Sequence, residues 1–236
     1  MDHHGVESLS HELSLLEQIS SATNRRRFLQ WAGVTMGVAL ISGCSDDGPT
    51  GLAGATLGGG DVGVLNYAYA LEQLEAAFYT RAVATPYAGI SGAELAILTD
   101  IRDHEIVHRE FLKAALGTSA IGTLQFEFSS VTFSSRSSVL GTAKVFEDLG
   151  VGAYNGAGKL LTDANLLLVA GKIVSVEARH ASAIRDLLNP MSTDFAGNDV
   201  VTVSSGLDRA LSPTDVLTAA DPFVINGIDA TSLPTS

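Results

Sequence analysis

Two short stretches each place a carboxylate and an imidazole three residues apart: "HEIVHREF", with Glu105 and His108, and "SVEARHASAI", with Glu177 and His180. Residues three or four apart share a helix face. Glu177 and His180 also fall in line with the apolar Ile173 and Ile184, so a stripe aimed at a core carries ionisable groups. Beyond Cys44 the chain has eight Glu and three His. Chance then supplies about 0.1 Glu-x-x-His spacings, and two occur. Lone glutamates stand in other segments: Glu72 or Glu75 in "LEQLEAAFY", and Glu147 in "FEDLGVGAY". One Glu from each of two helices plus a Glu-x-x-His from each of two more is the ligand set of helical bundles that hold two iron or two manganese ions. Two divalent cations offset four carboxylates, and neutral imidazoles complete the coordination. Without cations, four inward glutamates would repel one another and be costly to bury.

The elements that must position these groups follow from periodicity and punctuation. One helical pattern runs from about Asp61 to Ala84, before Thr85-Pro86. A second opens at Ser91 with Glu94, a capping-box pair, and stops at Gly117. A third runs from about Ser138 to Leu161, and a fourth from about Thr162 to Asn189, closed by Pro190. Short links make helices 1 and 2, and helices 3 and 4, antiparallel hairpins. The link between helices 2 and 3 is long and contains "LQFEFSSVTF", whose Leu124, Phe126 and Phe128 alternate with polar residues. Such a segment fits a crossover lying down the outside of a four-helix bundle. The expected fold is all-α: two antiparallel hairpins joined by a long crossover over residues 61–190, then an irregular C-terminal extension, 191–236. That extension carries a short helix signal at "SPTDVLTAA" and an apolar "PFVI". Helix 3 is unusual in holding Gly150, Gly152, Gly156 and Gly158, each costing a helix about 1 kcal/mol. Close approach of another backbone and a π-bulge near the metals both account for them.

The N-terminal 44 residues read as an address. "NRRRFLQWAGVTMGVALISGC" has Arg25, Arg26 and Arg27, then an apolar stretch too short for a membrane span. It resembles a twin-arginine export signal ending in the lipobox of bacterial lipoproteins, with Cys44 acylated as the mature N-terminus. This implies export to the periplasm or cell envelope and a lipid anchor. "SDDGPTGLAGATLGGG", 45–60, reads as a flexible tether. The net charge of −12 disfavours nucleic acid as a partner. A single cysteine excludes a disulfide framework, a four-cysteine iron–sulfur centre and a cysteine-based zinc site.

On the paired Glu-x-x-His motifs and the lone glutamates, residues 61–190 resemble the ferritin-like superfamily, and within it the group that includes desiccation-related proteins. The register is similar too: Glu72 is followed by Tyr79, and Glu147 by Tyr154, each seven positions on. The resemblance implies that Glu105 and Glu177 bridge two metals, iron or manganese. It also implies that His108 and His180 take one metal each and that Glu72 and Glu147 are terminal ligands. Glu75, Tyr79, Tyr154 and His104 are expected behind the ligands, with His104, one position off the stripe, there or at the surface. Aligning "EQLEAAFY" with "EDLGVGAY" superposes Glu72 on Glu147 and Glu75 on Gly150, which favours Glu72 as the ligand from helix 1. There is no cysteine-rich module of the rubrerythrin kind, and the one methionine beyond Cys44, Met191, follows helix 4. A dinuclear protein reacting with peroxide or O2 in oxidative or desiccation stress is the reading that results. A non-enzymatic metal-binding or desiccation-protective bundle is the alternative.

Overall fold

The computed structural model describes residues 54–235. Cys44, the arginine cluster and most of the expected tether lie outside the described residues.

Four long helices form the body: α1 (Gly60–Ala84), α2 (Gly92–Leu116), α3 (Arg136–Ala157) and α4 (Ala164–Leu188). A 25-residue helix is roughly 37 Å long, and the seven-residue link 85–91 spans at most about 25 Å, so α2 must return along α1. It packs closely on α1, as α4 does on α3. The expected all-α bundle of two hairpins and a crossover is the observed architecture.

The starts of α2, α3 and α4 follow side-chain caps, whereas α1 begins at Gly60 without one. Ser91 accepts the Glu94 N–H at 3.1 Å. Helix α3 begins at Arg136, two residues ahead of the expected start, because Ser135 accepts the Ser138 N–H at 3.4 Å. Helix α4 begins at Ala164 rather than Thr162, because Asp163 accepts the Asn165 N–H at 2.8 Å. An aspartate or serine oxygen satisfies one orphan amide of the first turn, which moves the boundary to it. Glu94 does not complete a capping box. Its carboxylate accepts the Tyr87 hydroxyl at 2.6 Å and Arg136 Nε at 2.8 Å, tying the α1–α2 link to the start of α3.

The crossover, 117–135, lies against the bundle. Leu124, Phe128, Val131 and Phe133 are buried, and Phe126 is partly so. Phe78 of α1 meets Phe128 edge-on at 5.9 Å between centroids. Two buried amides of α1, seven residues apart, staple the segment. Asn66 accepts the Ile121 N–H and donates to the carbonyls of Ser119 and Leu57; Gln73 accepts the Leu124 N–H. Each satisfies crossover backbone that no ladder serves.

The C-terminal extension wraps the α3 side. After strands β2 (Val201–Thr202) and β3 (Leu207–Asp208), it forms α5 (Pro213–Ala220), capped by Ser212. Further on, β4 (Ile228–Asp229) pairs in parallel with β1 (Ala55–Thr56), within the stretch read as a tether. Arg185 of α4, 3% exposed, holds Asp148 of α3 and Asp199 of the extension through paired contacts of 2.7–3.0 Å. The glycines of α3 now have reasons. Leu211 N–H donates to the Gly152 carbonyl at 2.9 Å, and a Cβ on Gly156 would overlap the Leu211 carbonyl oxygen. The approaching backbone belongs to the extension. Helix α3 stays α-helical to Ala157 and passes into one 3₁₀ turn, Gly158–Leu160.

Candidate metal centre

Near the middle of the bundle, Glu72 of α1, Glu105 of α2, Glu147 of α3 and Glu177 of α4 are fully buried, with His180 4% exposed. Each helix brings its glutamate inward on its core stripe, and the i, i+3 spacing carries His108 and His180 to the same wall. The side chains form two overlapping groups whose ligand atoms lie within 4.8 Å of one another: Glu72, Glu105, His108 and Glu177, and Glu105, Glu147, Glu177 and His180. Glu105 and Glu177 belong to both, the positions that bridging ligands would hold.

His108 Nδ1 lies 2.9 Å from Glu177 Oε1 and 3.4 Å from Glu72 Oε2. His180 Nδ1 lies 2.8 Å from Glu105 Oε1 and 3.4 Å from Glu147 Oε2. These contacts are close, yet they are not aligned as hydrogen bonds. Both imidazole nitrogens, both oxygens of Glu105 and of Glu177, and one oxygen each of Glu72 and Glu147 are buried without a hydrogen-bond partner. Buried polar atoms left in this state cost about 1–3 kcal/mol each, more when charged. Eight of them converging on two points is an arrangement suited to cations rather than to itself. All are hard or borderline donors, which suit divalent metal ions.

The remaining oxygens are held from behind. Tyr79 of α1 donates its hydroxyl to Glu147 Oε1 at 2.6 Å, and Tyr154 of α3 donates to Glu72 Oε1 at 2.6 Å. The two bonds cross between α1 and α3 and relate the hairpins by an approximate two-fold. Burial first, then the neighbouring carboxylates, push both phenols well above their usual range, so they remain donors.

Electrostatically, the cluster gathers buried negative charge around the two imidazoles. Burial pulls His108 and His180 down, but the surrounding carboxylates override it and push both up to about 12. Burial raises Glu147 to about 7 against the opposing pull of His180, and raises Glu105 well above the carboxylate range, with Glu177 adding to it. In the metal-free chain, protons therefore stand in for metal charge.

Glu75 is buried but outside both groups. Its Oε1 occupies the space beside Gly150, where a Cβ would come within 3.1 Å of it. Burial and the other glutamates raise it well above the carboxylate range. His104 is exposed, yet its Nδ1 lies 2.9 Å from His180 Nε2, with the two ring planes within 9° of parallel. An apolar pocket of about 60 Å³ is lined in part by Tyr154, the residue that donates to Glu72. Its wall includes Leu71 beside Glu72, Leu112 one turn beyond His108, Ile173 one turn before Glu177, and Tyr154.

Sequence reasoning named every residue of both groups. It missed the Asn66 and Gln73 staples and the Arg185 clamp. The two amides were visible as polar residues seven apart in an otherwise apolar helix; the clamp had no local signal, because Asp199 comes from the extension.

A four-helix bundle with carboxylate and imidazole ligands converging from all four helices defines a class of protein. Residues 60–190 match the model of the ferritin-like domain, and the chain belongs to that family. No curated protein matches the chain.

Proposed function

We propose that this chain is an exported protein that binds two iron or manganese ions at Glu72, Glu105, His108, Glu147, Glu177 and His180 and reacts with peroxide or O2 in oxidative or desiccation stress. The observation that carries the reading is the sharing of Glu105 and Glu177 between two groups of buried, unpartnered ligand atoms. When bound, the metal pair supplies electron transfer to a small oxidant. The residues do the rest. Glu105 and Glu177 would each serve both cations, and Tyr79 and Tyr154 fix the orientation of the Glu147 and Glu72 carboxylates. The apolar wall of Leu71, Leu112 and Ile173 admits a small uncharged molecule and disfavours charged ones.

The experiment is metal analysis of protein purified from its own export route, followed by assays with peroxide and with Fe(II) plus O2. Oxygen release with manganese bound selects peroxide disproportionation; Fe(II) oxidation without oxygen release selects ferroxidation. Metal bound without turnover in either assay selects a metal-binding or protective bundle. Protein that takes up no metal overturns the proposal.

The arginine pair, the weak apolar stretch and the lone cysteine support a lipid anchor at Cys44. Cys44→Ser is expected to leave the membrane fraction or accumulate as an uncleaved precursor. Unchanged fractionation, with the same uncleaved N-terminus in both versions, would count against the anchor.

A further inference from the structure

We propose that His104 is a positioning residue for one metal position only, the one formed by Glu105, Glu147, Glu177 and His180, and so makes the two positions unequal in affinity. The inference rests on the two-metal reading above. His180 points Nδ1 at Glu105 and Glu147 and presents Nε2 to His104 Nδ1 at 2.9 Å. A neutral imidazole has one N–H and one lone pair. For Nδ1 of His180 to be a ligand, the proton must sit on Nε2, and that N–H needs an acceptor. His104 Nδ1 is placed to accept it, which leaves the His104 proton on its own Nε2.

The near-parallel rings, 5.2 Å between centroids, restrict rotation of the His180 ring as well. Hydrogen-bonding the far nitrogen of a metal-bound imidazole fixes its tautomer and raises its basicity. His104 therefore works on the metal through His180 while standing at the surface of α2.

The approximate two-fold makes this contact stand out. It superposes Glu105 and His108 on Glu177 and His180, so the residue matching His104 is Val176. Valine has no acceptor to offer His108. The symmetry of the six ligands is thus broken one position ahead of a glutamate, on one side only. The position served by His104 is the tighter of the two and fills first.

Calorimetric titration of metal-free protein with Mn(II), and with Co(II) followed by its visible absorption, tests this. His104→Ala is expected to weaken one of two binding events about 10- to 100-fold and leave the other unchanged. His104→Phe, which keeps an aromatic ring without the acceptor, should lose as much, and His104→Gln, whose side-chain oxygen accepts, should recover part of the loss. Because His104 is exposed, the variants should keep the wild-type circular dichroism spectrum. Equal weakening of both events, no weakening in His104→Ala, or wild-type affinity in His104→Phe would each overturn the proposal. Absence of metal binding by the wild-type protein would instead remove the two-metal reading, and this inference with it.

Discussion

At the scale of single residues, the question is which glutamate of α1 would hold metal. Glu72 and Glu75 lie one turn apart on nearly one face, but only Glu72 converges with Glu105, His108 and Glu177. Glu75 instead fills the gap above Gly150, its counterpart under the two-fold. Glu72→Ala is expected to lose one metal or most of its occupancy, and Glu75→Ala to keep both. Metal stoichiometry on the two variants decides it, and full loss in Glu75→Ala alone would reverse the assignment. The tyrosines allow a gentler test. Tyr79→Phe removes one charge-assisted hydrogen bond to Glu147 and leaves the ring in the core. It should weaken one metal-binding event about tenfold; an unchanged titration would mean that Glu147 needs no such support.

At the scale of elements, the extension and α3 form one unit. Glycine in a helix interior costs about 1 kcal/mol relative to alanine, so Gly156→Ala would stabilise α3 in isolation. In the folded chain the new methyl meets the Leu211 backbone, which cannot rotate aside as a side chain can. The expected outcome is displacement of the extension with the bundle intact. Limited proteolysis should then cut the 197–212 segment faster in the variant while metal content holds. Equal cleavage rates would show that α3 and Leu211 separate at little cost. The Arg185 clamp limits how far the extension can move, because Asp199 is held by a buried guanidinium that also fixes Asp148 beside Glu147.

For the whole molecule, the proposed centre would couple metal to stability. Burial pushes Glu147 up to about 7 in the metal-free fold, against about 4.5 for an ordinary glutamate. A raised pKa means a contribution present below about 4.5 and lost as pH rises through 7, at most about 3 kcal/mol for this group. Glu105 and Glu75 are shifted in the same direction. Chelator-treated protein should therefore melt at lower temperature as pH rises from 5 to 8. Metal-loaded protein should melt higher than the chelated form at pH 7 and 8, because the cations now offset the carboxylates and bind the folded state alone. Glu177→Ala should abolish the difference. Coincident melting curves with and without metal would favour a protective bundle whose centre is incidental to its stability.

Much of this architecture could be read from the chain alone, because its signals are local. Helix periodicity, Ser91 and Gly117 at the ends of α2, and two Glu-x-x-His motifs each lie within a few turns, and the candidate site residues were named from them. Matching "EQLEAAFY" to "EDLGVGAY" favoured Glu72 over Glu75, and Glu72 is the one that converges with Glu105, His108 and Glu177. Contacts between distant segments were beyond that reach. The meaning of Gly152 and Gly156 depended on a partner some sixty residues away, and periodicity could not tell an approaching backbone from a bulge. Placing His104 against His180 required the packing of α2 on α4, since a residue one position off a stripe points between neighbours that only the assembled bundle supplies. Residue spacing within a helix determines which side chains share a face; which of the remaining groups meet across faces is decided by tertiary packing, where close contact and hydrogen-bond geometry select among partners that local sequence leaves equivalent.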